Sequence, residues 1–205
     1  MSGQKAVGGI ILAAGASVRM GQPKLLYRYG QKTIIGHVLD NALAAQLSPL
    51  LLISGAYREE VEAEAAARGV RAVYNPDYAA GQSGSLQAGI AALPPDTAAM
   101  FLLGDQPLVP PEVIRQLLEA YQSSDAPIVV PKGGSGMRGN PTIFAPSLFA
   151  EINDIEGDIG ARQVMAAHID EVCFVDIGDR AVNFDVDTPE DLKLLELMTA
   201  DNDRP

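Results

Sequence analysis

Val7-Gly-Gly-Ile-Ile-Leu-Ala13 runs without a break into Ala14-Gly-Ala-Ser-Val-Arg-Met-Gly-Gln-Pro-Lys24, and this junction decides how the chain is read. A continuous apolar run that ends in small residues is the pattern of a strand buried on both faces, as in parallel sheets. A glycine-rich loop at such a strand's carboxyl end lets backbone N–H groups approach an anion, because no Cβ intervenes. Open α/β sheets bind ligands outside the carboxyl ends of their strands, where this loop lies. Arg19 and Lys24 add a forked guanidinium and a mobile ammonium, both suited to polyphosphate. The loop is neither a Walker GxxxxGK(S/T) nor a dinucleotide GxGxxG motif. Its alternative reading is a tight turn with two solvated bases.

Outward from this junction, strands and helices alternate. Thr33 is placed to cap a helix from Ile34 to Gln46, and Pro49 to Ser54 reads as a second buried strand. Arg58 to Arg68 is an Ala/Glu-rich surface helix stopped by Gly69, and Val70 to Tyr74 a third strand. A helix over Ser83–Leu93, a strand over Met100–Leu103, a helix over Pro110–Tyr121 and a strand over Ile128–Val130 follow. Beyond Pro131 the pattern loosens. A flexible loop spans 133–139, followed by a short strand at Thr142–Phe144 and a helix at Gly160–His168. The alternating Glu171–Asp176 reads as a strand near an edge. Val182–Val186 reads as a last strand, and Pro189–Met198 as a helix capped by Thr188. Such alternation predicts an α/β protein with a mostly parallel sheet and right-handed crossovers. With no repeat or linker in sight, one domain is expected over residues 1–200. Residues 1–131 form its first part, 132–200 a lobe closing the sheet, and 201–205 a frayed tail.

Composition excludes several classes. At 205 residues, 47% hydrophobic and 20% charged, the chain suits one globular core rather than disorder. No apolar run approaches the ~18–20 residues of a membrane span. The segment MSGQKAVGGIILAAG makes a poor signal peptide, so a cytoplasmic location is expected. One cysteine forbids an internal disulfide, and with two histidines it cannot furnish a Cys/His zinc site. A net charge of −11 argues against nucleic-acid or anionic-membrane partners. Yet residues 1–39 hold five bases and no acid, leaving ten bases and 26 acids to the rest. An acid-free, glycine-rich beginning points to a small anionic ligand.

Asp105 ends an apolar strand and so sits at the same mouth as the first loop. One carboxylate beside a triphosphate suits Mg²⁺, which typically takes one or two carboxylates with phosphate oxygens and water; the alternative is a cap before Pro107. Asp185 and Asp187, two apart in the last strand, share a face and need a cation, a donor or partial protonation to lower their repulsion. Asp187 reads equally as a cap for the final helix. Ser83, Gly84 and Ser85 open a helix whose hydroxyls and free N–H groups suit a base edge or a phosphate. Cys173 and His37 read as packing residues, and His168 as a helix-ending one.

Together these motifs resemble the molybdenum cofactor cytidylyltransferase family, MobA-like NTP transferases of the nucleotide-diphospho-sugar transferase superfamily. The LAAGxSxRMGxxK loop carries the likeness first. In order, Gly81-Gln-Ser-Gly-Ser-Leu86, Gly104-Asp-Gln-Pro107, Arg138-Gly-Asn-Pro141, Gly157-Asp-Ile-Gly-Ala-Arg162 and Asp185-Val-Asp-Thr-Pro-Glu-Asp-Leu192 extend it from Gly9 to Leu192. Gln82 and Gly84 depart from the family's G-M-S-S-S-L-like run. The resemblance implies a three-layer α/β/α Rossmann-like fold and transfer of CMP from CTP to the phosphate of molybdopterin, with release of pyrophosphate. It implies a nucleotide site at Leu12, Ala13, Ala14, Gly15, Arg19, Lys24, Ser83, Gly84 and Ser85. Arg19, Lys24 and Asp105 would be catalytic, and Asp105, Asp187 and Asp185 would ligate Mg²⁺. Arg138, Gly139, Asn140 and Arg162 would hold the acceptor. LAAG, where guanylyl-transferring relatives usually have LAGG, suggests CTP over GTP. An apo-molybdoenzyme is the implied downstream partner. The alternatives are a sugar- or polyol-phosphate acceptor, or a non-catalytic carrier of the cofactor.

Overall fold

The first apolar run forms β1 (Val7–Ala13), with six of its seven residues buried, in a computed structural model that describes residues 5–17, 23–133, 136–158, 160–178 and 181–200. β1 lies inside a seven-stranded sheet, pairing in parallel with β4 (Leu50–Ser54) and β6 (Ala98–Leu103). Beyond β4 comes β5 (Arg71–Tyr74) at one edge. On the other side β8 (Thr142–Phe144) is inserted antiparallel between β6 and β7 (Ile128–Lys132). β9 (Val172–Asp176) closes the far edge in parallel with β7, at the edge where the alternating pattern put it. A hairpin of β2 (Arg28–Tyr29) and β3 (Lys32–Thr33) stands apart from this sheet.

Among the described residues, seven α-helices cover its two faces. α1 (Ile34–Ala44), α2 (Arg58–Ala66), α4 (Pro111–Ser123) and α7 (Pro189–Ala200) pack one core with Ile11, Leu52, Met100 and Val129. α3 (Gln82–Ala92), α5 (Phe149–Asn153) and α6 (Arg162–Ala167) pack a second core with Ile10, Ile53, Phe101 and Val130. Alternate residues of each strand go to opposite cores, as the pleat requires. The result is the three-layer, mostly parallel Rossmann-like fold expected. Thr33 caps α1 by accepting from the Gly36 N–H at 3.0 Å. No described helix is long and apolar enough to cross a membrane.

One expected strand is absent. Val182–Val186 begins with a 3₁₀ turn at Ala181–Asn183 and continues irregularly. Val182 and Val186 are fully buried, which is what their spacing signalled, but their backbones pair with loops. The Val182 carbonyl accepts from Asn140 N–H, and Val186 N–H donates to the Asp105 carbonyl, each at 3.0 Å. Gly139 permits the first of these, because any Cβ there would overlap the Val182 carbonyl. The segment thus ties the 138–141 loop and the 104–106 loop together over the carboxyl ends of the strands. The expected tail at 201–205 lies outside the described residues.

Candidate active site

At the carboxyl end of β1, Lys24 N–H donates to the Ser17 hydroxyl at 3.3 Å. Lys24 opens a 3₁₀ turn (Lys24–Leu26), and its ammonium reaches across the mouth. It donates to Asp105 Oδ2 and to Asp187 Oδ1, both at 2.6 Å. Burial works against its charge, but the Asp105 carboxylate, with Asp187 beside it, outweighs that and raises its pKa. Three residues from distant parts of the chain therefore meet at one point.

Asp187 is held by the start of α7. Thr188 and Asp191 form a reciprocal cap: Asp191 N–H donates to Thr188 Oγ1 at 3.2 Å, and the Asp187 and Thr188 N–H groups donate to Asp191 Oδ2 at 3.0 and 2.8 Å. Thr188 is thus the cap, and the Asp187 carboxylate accepts from Lys24. Partial desolvation works the other way, but these donors hold the Asp191 carboxyl below its ordinary range. Asp185 does not share Asp187's direction. Its Oδ1 accepts from the buried Gln106 Nε2 at 2.6 Å. Desolvation and then the Asp105 charge push the Asp185 carboxyl up, against the pull of Gln106.

Two cavities open from this point. The first, of 370 Å³, is lined by Leu12, Ala13, Ala14 and Gly15 of the first loop, by Lys24, Asp105 and Asp187, and by Tyr78, Gly81, Gln82 and Ser85. The second, of 910 Å³, has an apolar floor of Leu86, Phe101, Phe144 and Met165. Its rim carries Arg138, Gly139, Asn140, Thr142 and Arg162. Lys24, Gln82, Asp158 and Asp187 line both, so the two spaces meet at the Lys24–Asp187 pair. Arg138 stacks its guanidinium 5.5 Å from the Phe174 ring, next to Lys132 at 4.2 Å.

All four residues expected at the acceptor therefore line the larger space, and the expected nucleotide loop lines the smaller. Ser83 and Gly84 do not line it. Ser83 is buried, with its N–H donating to the Gly157 carbonyl at 3.1 Å, and Gly84 packs against Asn75. Arg19 lies outside the described residues. Asn75, Tyr78 and Asp158 were not singled out from the sequence, although Asp158 stands inside the Gly157–Arg162 motif. Cys173 is half-buried against the core, and His37 bonds the Tyr29 carbonyl at 2.9 Å and stacks on its ring, as packing residues do.

The donor set suits a hard divalent cation. Two carboxylates already flank one positive charge, and among the described residues no group of three or more His, Cys, Asp or Glu side chains could hold a metal by itself. Such a pair fits Mg²⁺ or Mn²⁺, whose remaining positions go to phosphate oxygens and water.

The mostly parallel Rossmann-like sheet is a nucleotidyltransferase fold. Within that class the chain belongs to the MobA-like NTP transferase domain family, whose model matches residues 9–172. It is 30% identical over 91% of its length to nicotine blue oxidoreductase of Paenarthrobacter nicotinovorans, covering 94% of that protein. It is 29% identical to the molybdenum cofactor cytidylyltransferase of Escherichia coli, over 89% of this chain and 91% of that one. The crystal structure of Rv0371c from Mycobacterium tuberculosis superposes with a TM-score of 0.84 at 30% identity, covering 95% of this chain and 99% of that one. A second structure of Rv0371c is a complex with manganese, with a TM-score of 0.80 at 30% identity over 94% of this chain and 98% of that one.

Proposed function

We propose that the chain transfers CMP from CTP to the phosphate of molybdopterin or its molybdenum-loaded form, releasing pyrophosphate. The observation that carries this reading is the junction of two cavities at Lys24 and Asp187, with Asp105 beside them in the smaller one. One cavity has the size and small-residue lining for a nucleotide; the other has an apolar floor and an arginine rim suited to a flat, phosphorylated heterocycle. The similarity to the Escherichia coli cytidylyltransferase supports the same acceptor. In this reading residues 1–131 hold the nucleotide and 132–200 the acceptor, and Mg²⁺ is the cofactor.

In the reaction an oxygen of the acceptor phosphate forms a bond to the α-phosphorus of CTP, while the bond from that phosphorus to the β-phosphate oxygen breaks. The acceptor phosphate is already an anion at neutral pH, so no strong general base is needed. The work left to the chain is alignment and charge neutralisation. Asp105 and Asp187 would hold the metal, with Asp185 beside them; when bound, Mg²⁺ supplies Lewis-acid polarisation of the phosphoryl oxygens. Lys24 and Arg19 hold the departing phosphates, and backbone N–H groups of the 13–17 loop approach them closely. Arg138, Asn140 and Arg162 orient the acceptor at the rim.

Pyrophosphate release from each of the four NTPs, with and without molybdopterin, tests this directly. Release with CTP only when the acceptor is present is the expected result. Release dependent on a sugar or polyol phosphate would move the acceptor class. Binding of molybdopterin without turnover would make the chain a carrier.

A further inference from the structure

The reading above leaves open how the smaller cavity tells one pyrimidine from another, and a buried hydrogen-bond relay behind its wall bears on that. Asn75 follows β5 and is 3% exposed. Its Oδ1 accepts from Asp77 N–H at 3.0 Å, an Asx turn over Pro76. That bond fixes which end of the amide is which, since a backbone N–H can only donate. The other end, Nδ2, must then donate, and it does so to Ser85 Oγ at 3.0 Å. Ser85 is 4% exposed and lines the nucleotide cavity. With one lone pair committed to Asn75 and no described residue accepting its proton, its hydroxyl offers a donor to the cavity.

The local sequence is shaped to keep this contact. Gly84 stands beside Asn75, where a Cβ would come within 3.2 Å of Nδ2. A larger residue at position 84 would press on the amide, so glycine at this departure from the family run lets α3 approach it closely. The Asn75 backbone N–H donates to the Ser54 carbonyl at 2.9 Å, continuing the β4–β5 ladder and anchoring the relay to the sheet.

We propose that Asn75 is a positioning residue for nucleotide selection: it fixes Ser85 as a hydrogen-bond donor that reads the N3 acceptor of cytosine. The proposal rests on the nucleotide assignment above. The triphosphate belongs with Lys24, which leaves the neutral part of the cavity wall, Ala13, Ala14, Tyr78, Gly81 and Ser85, to the base. Cytosine presents an unprotonated N3, whereas uracil carries a proton there. A hydroxyl whose proton is turned outward from behind pairs with the first, whereas the second finds only the one lone pair that Asn75 leaves unoccupied, and a site built to pair with one such group discriminates against its absence.

The test compares dissociation constants of CTP, UTP, GTP and ATP in the presence of Mg²⁺, without any acceptor, for the full chain and three variants. Wild type is expected to prefer CTP over UTP by tenfold or more. Ser85→Ala should cut that ratio by about tenfold, mostly by weakening CTP. Asn75→Asp, measured at about pH 8 where a carboxylate is ionised, keeps the acceptor for Asp77 N–H but turns the donor facing Ser85 into an acceptor. The serine proton is then drawn away from the cavity, and the ratio should fall further, toward UTP. Asn75→Asp added to Ser85→Ala should not change the ratio any further, which separates the relay from general loosening. A wild type that prefers purines overturns the nucleotide reading and this inference with it. A CTP-preferring wild type whose CTP:UTP ratio is unmoved by either single variant, or whose two affinities fall equally, overturns the inference alone.

Discussion

Replacing Lys24 by methionine removes the charge on which the two halves of the site converge. The ammonium lies 2.6 Å from both carboxylates, with its side chain 15% exposed against 21% for Asp105 and 44% for Asp187. A sheltered hydrogen bond to a charged group contributes about 1.5–3 kcal/mol, whereas a solvent-screened pair contributes about 0.2–1 kcal/mol. The Asp105 bond belongs with the first figure and the Asp187 bond with the second, for a combined cost of about 2–4 kcal/mol. In a chain of this size that lowers the melting temperature by roughly 4–16 °C. The same substitution removes the ammonium that bridges the two carboxylates, and with it a cation competing for them. Mn²⁺ should then bind the nucleotide-free variant at least about tenfold more tightly than wild type, read by electron paramagnetic resonance, and should restore part of the lost melting temperature. Equal melting temperatures together with equal Mn²⁺ affinity would refute the shared-charge geometry.

Asp105→Asn should reduce pyrophosphate release by at least about a hundredfold while the far-ultraviolet dichroism stays that of wild type; retained activity at saturating Mg²⁺ would remove Asp105 from the metal site. Ala13→Gly combined with Ala14→Gly should relax the CTP-over-GTP preference by roughly 10–200-fold, the range open to small steric changes, and a wild type using GTP as readily as CTP would end the base-size argument. His168 bonds Glu171 at 2.7 Å and Glu151 at 2.9 Å, and these carboxylates raise its pKa above 6.5. The clamp's stabilisation is thus fully present below about pH 6.5 and lost as pH rises through the raised value. The melting-temperature gap between wild type and His168→Gln should therefore shrink with rising pH over that window, and a gap that widens would contradict the assignment.

The fold was legible where burial and periodicity carry the same message. β1 and β8 have the ends their apolar runs set, and Thr33 caps α1, because a two-faced strand and a capped amphipathic helix each leave a local trace. Val182–Val186 misled because alternating apolar residues report burial and not the backbone's partner, which here is a pair of loops. The two-residue strands of the hairpin and the five-residue α5 are too short to show any period. In the site, Arg138, Asn140 and Arg162 were recognisable from motifs, and they share a cavity although 24 residues separate the first from the last. Asn75 was not, since an Asn-Pro pair reads as a turn and its contact with Ser85 exists only once α3 packs beside β5.

The acid-free first 39 residues acquire a different meaning once the chain is folded. Lys5 lies 3.9 Å from Asp125, Lys32 pairs with Asp40 at 2.5 Å, and Arg28 donates to the Gln31 carbonyl at 2.6 Å. Most of that basic segment is thus held by the protein itself, and of its described cations only Lys24 lines the smaller cavity. The same lining carries Asp105, Asp158 and Asp187, so its described charges sum to a negative value. In the proposed reading a triphosphate accompanied by a divalent cation meets metal ligands in these carboxylates. Nucleotide and divalent cation therefore arrive together in that reading, and the Lys24 ammonium bridges the two carboxylates until they do.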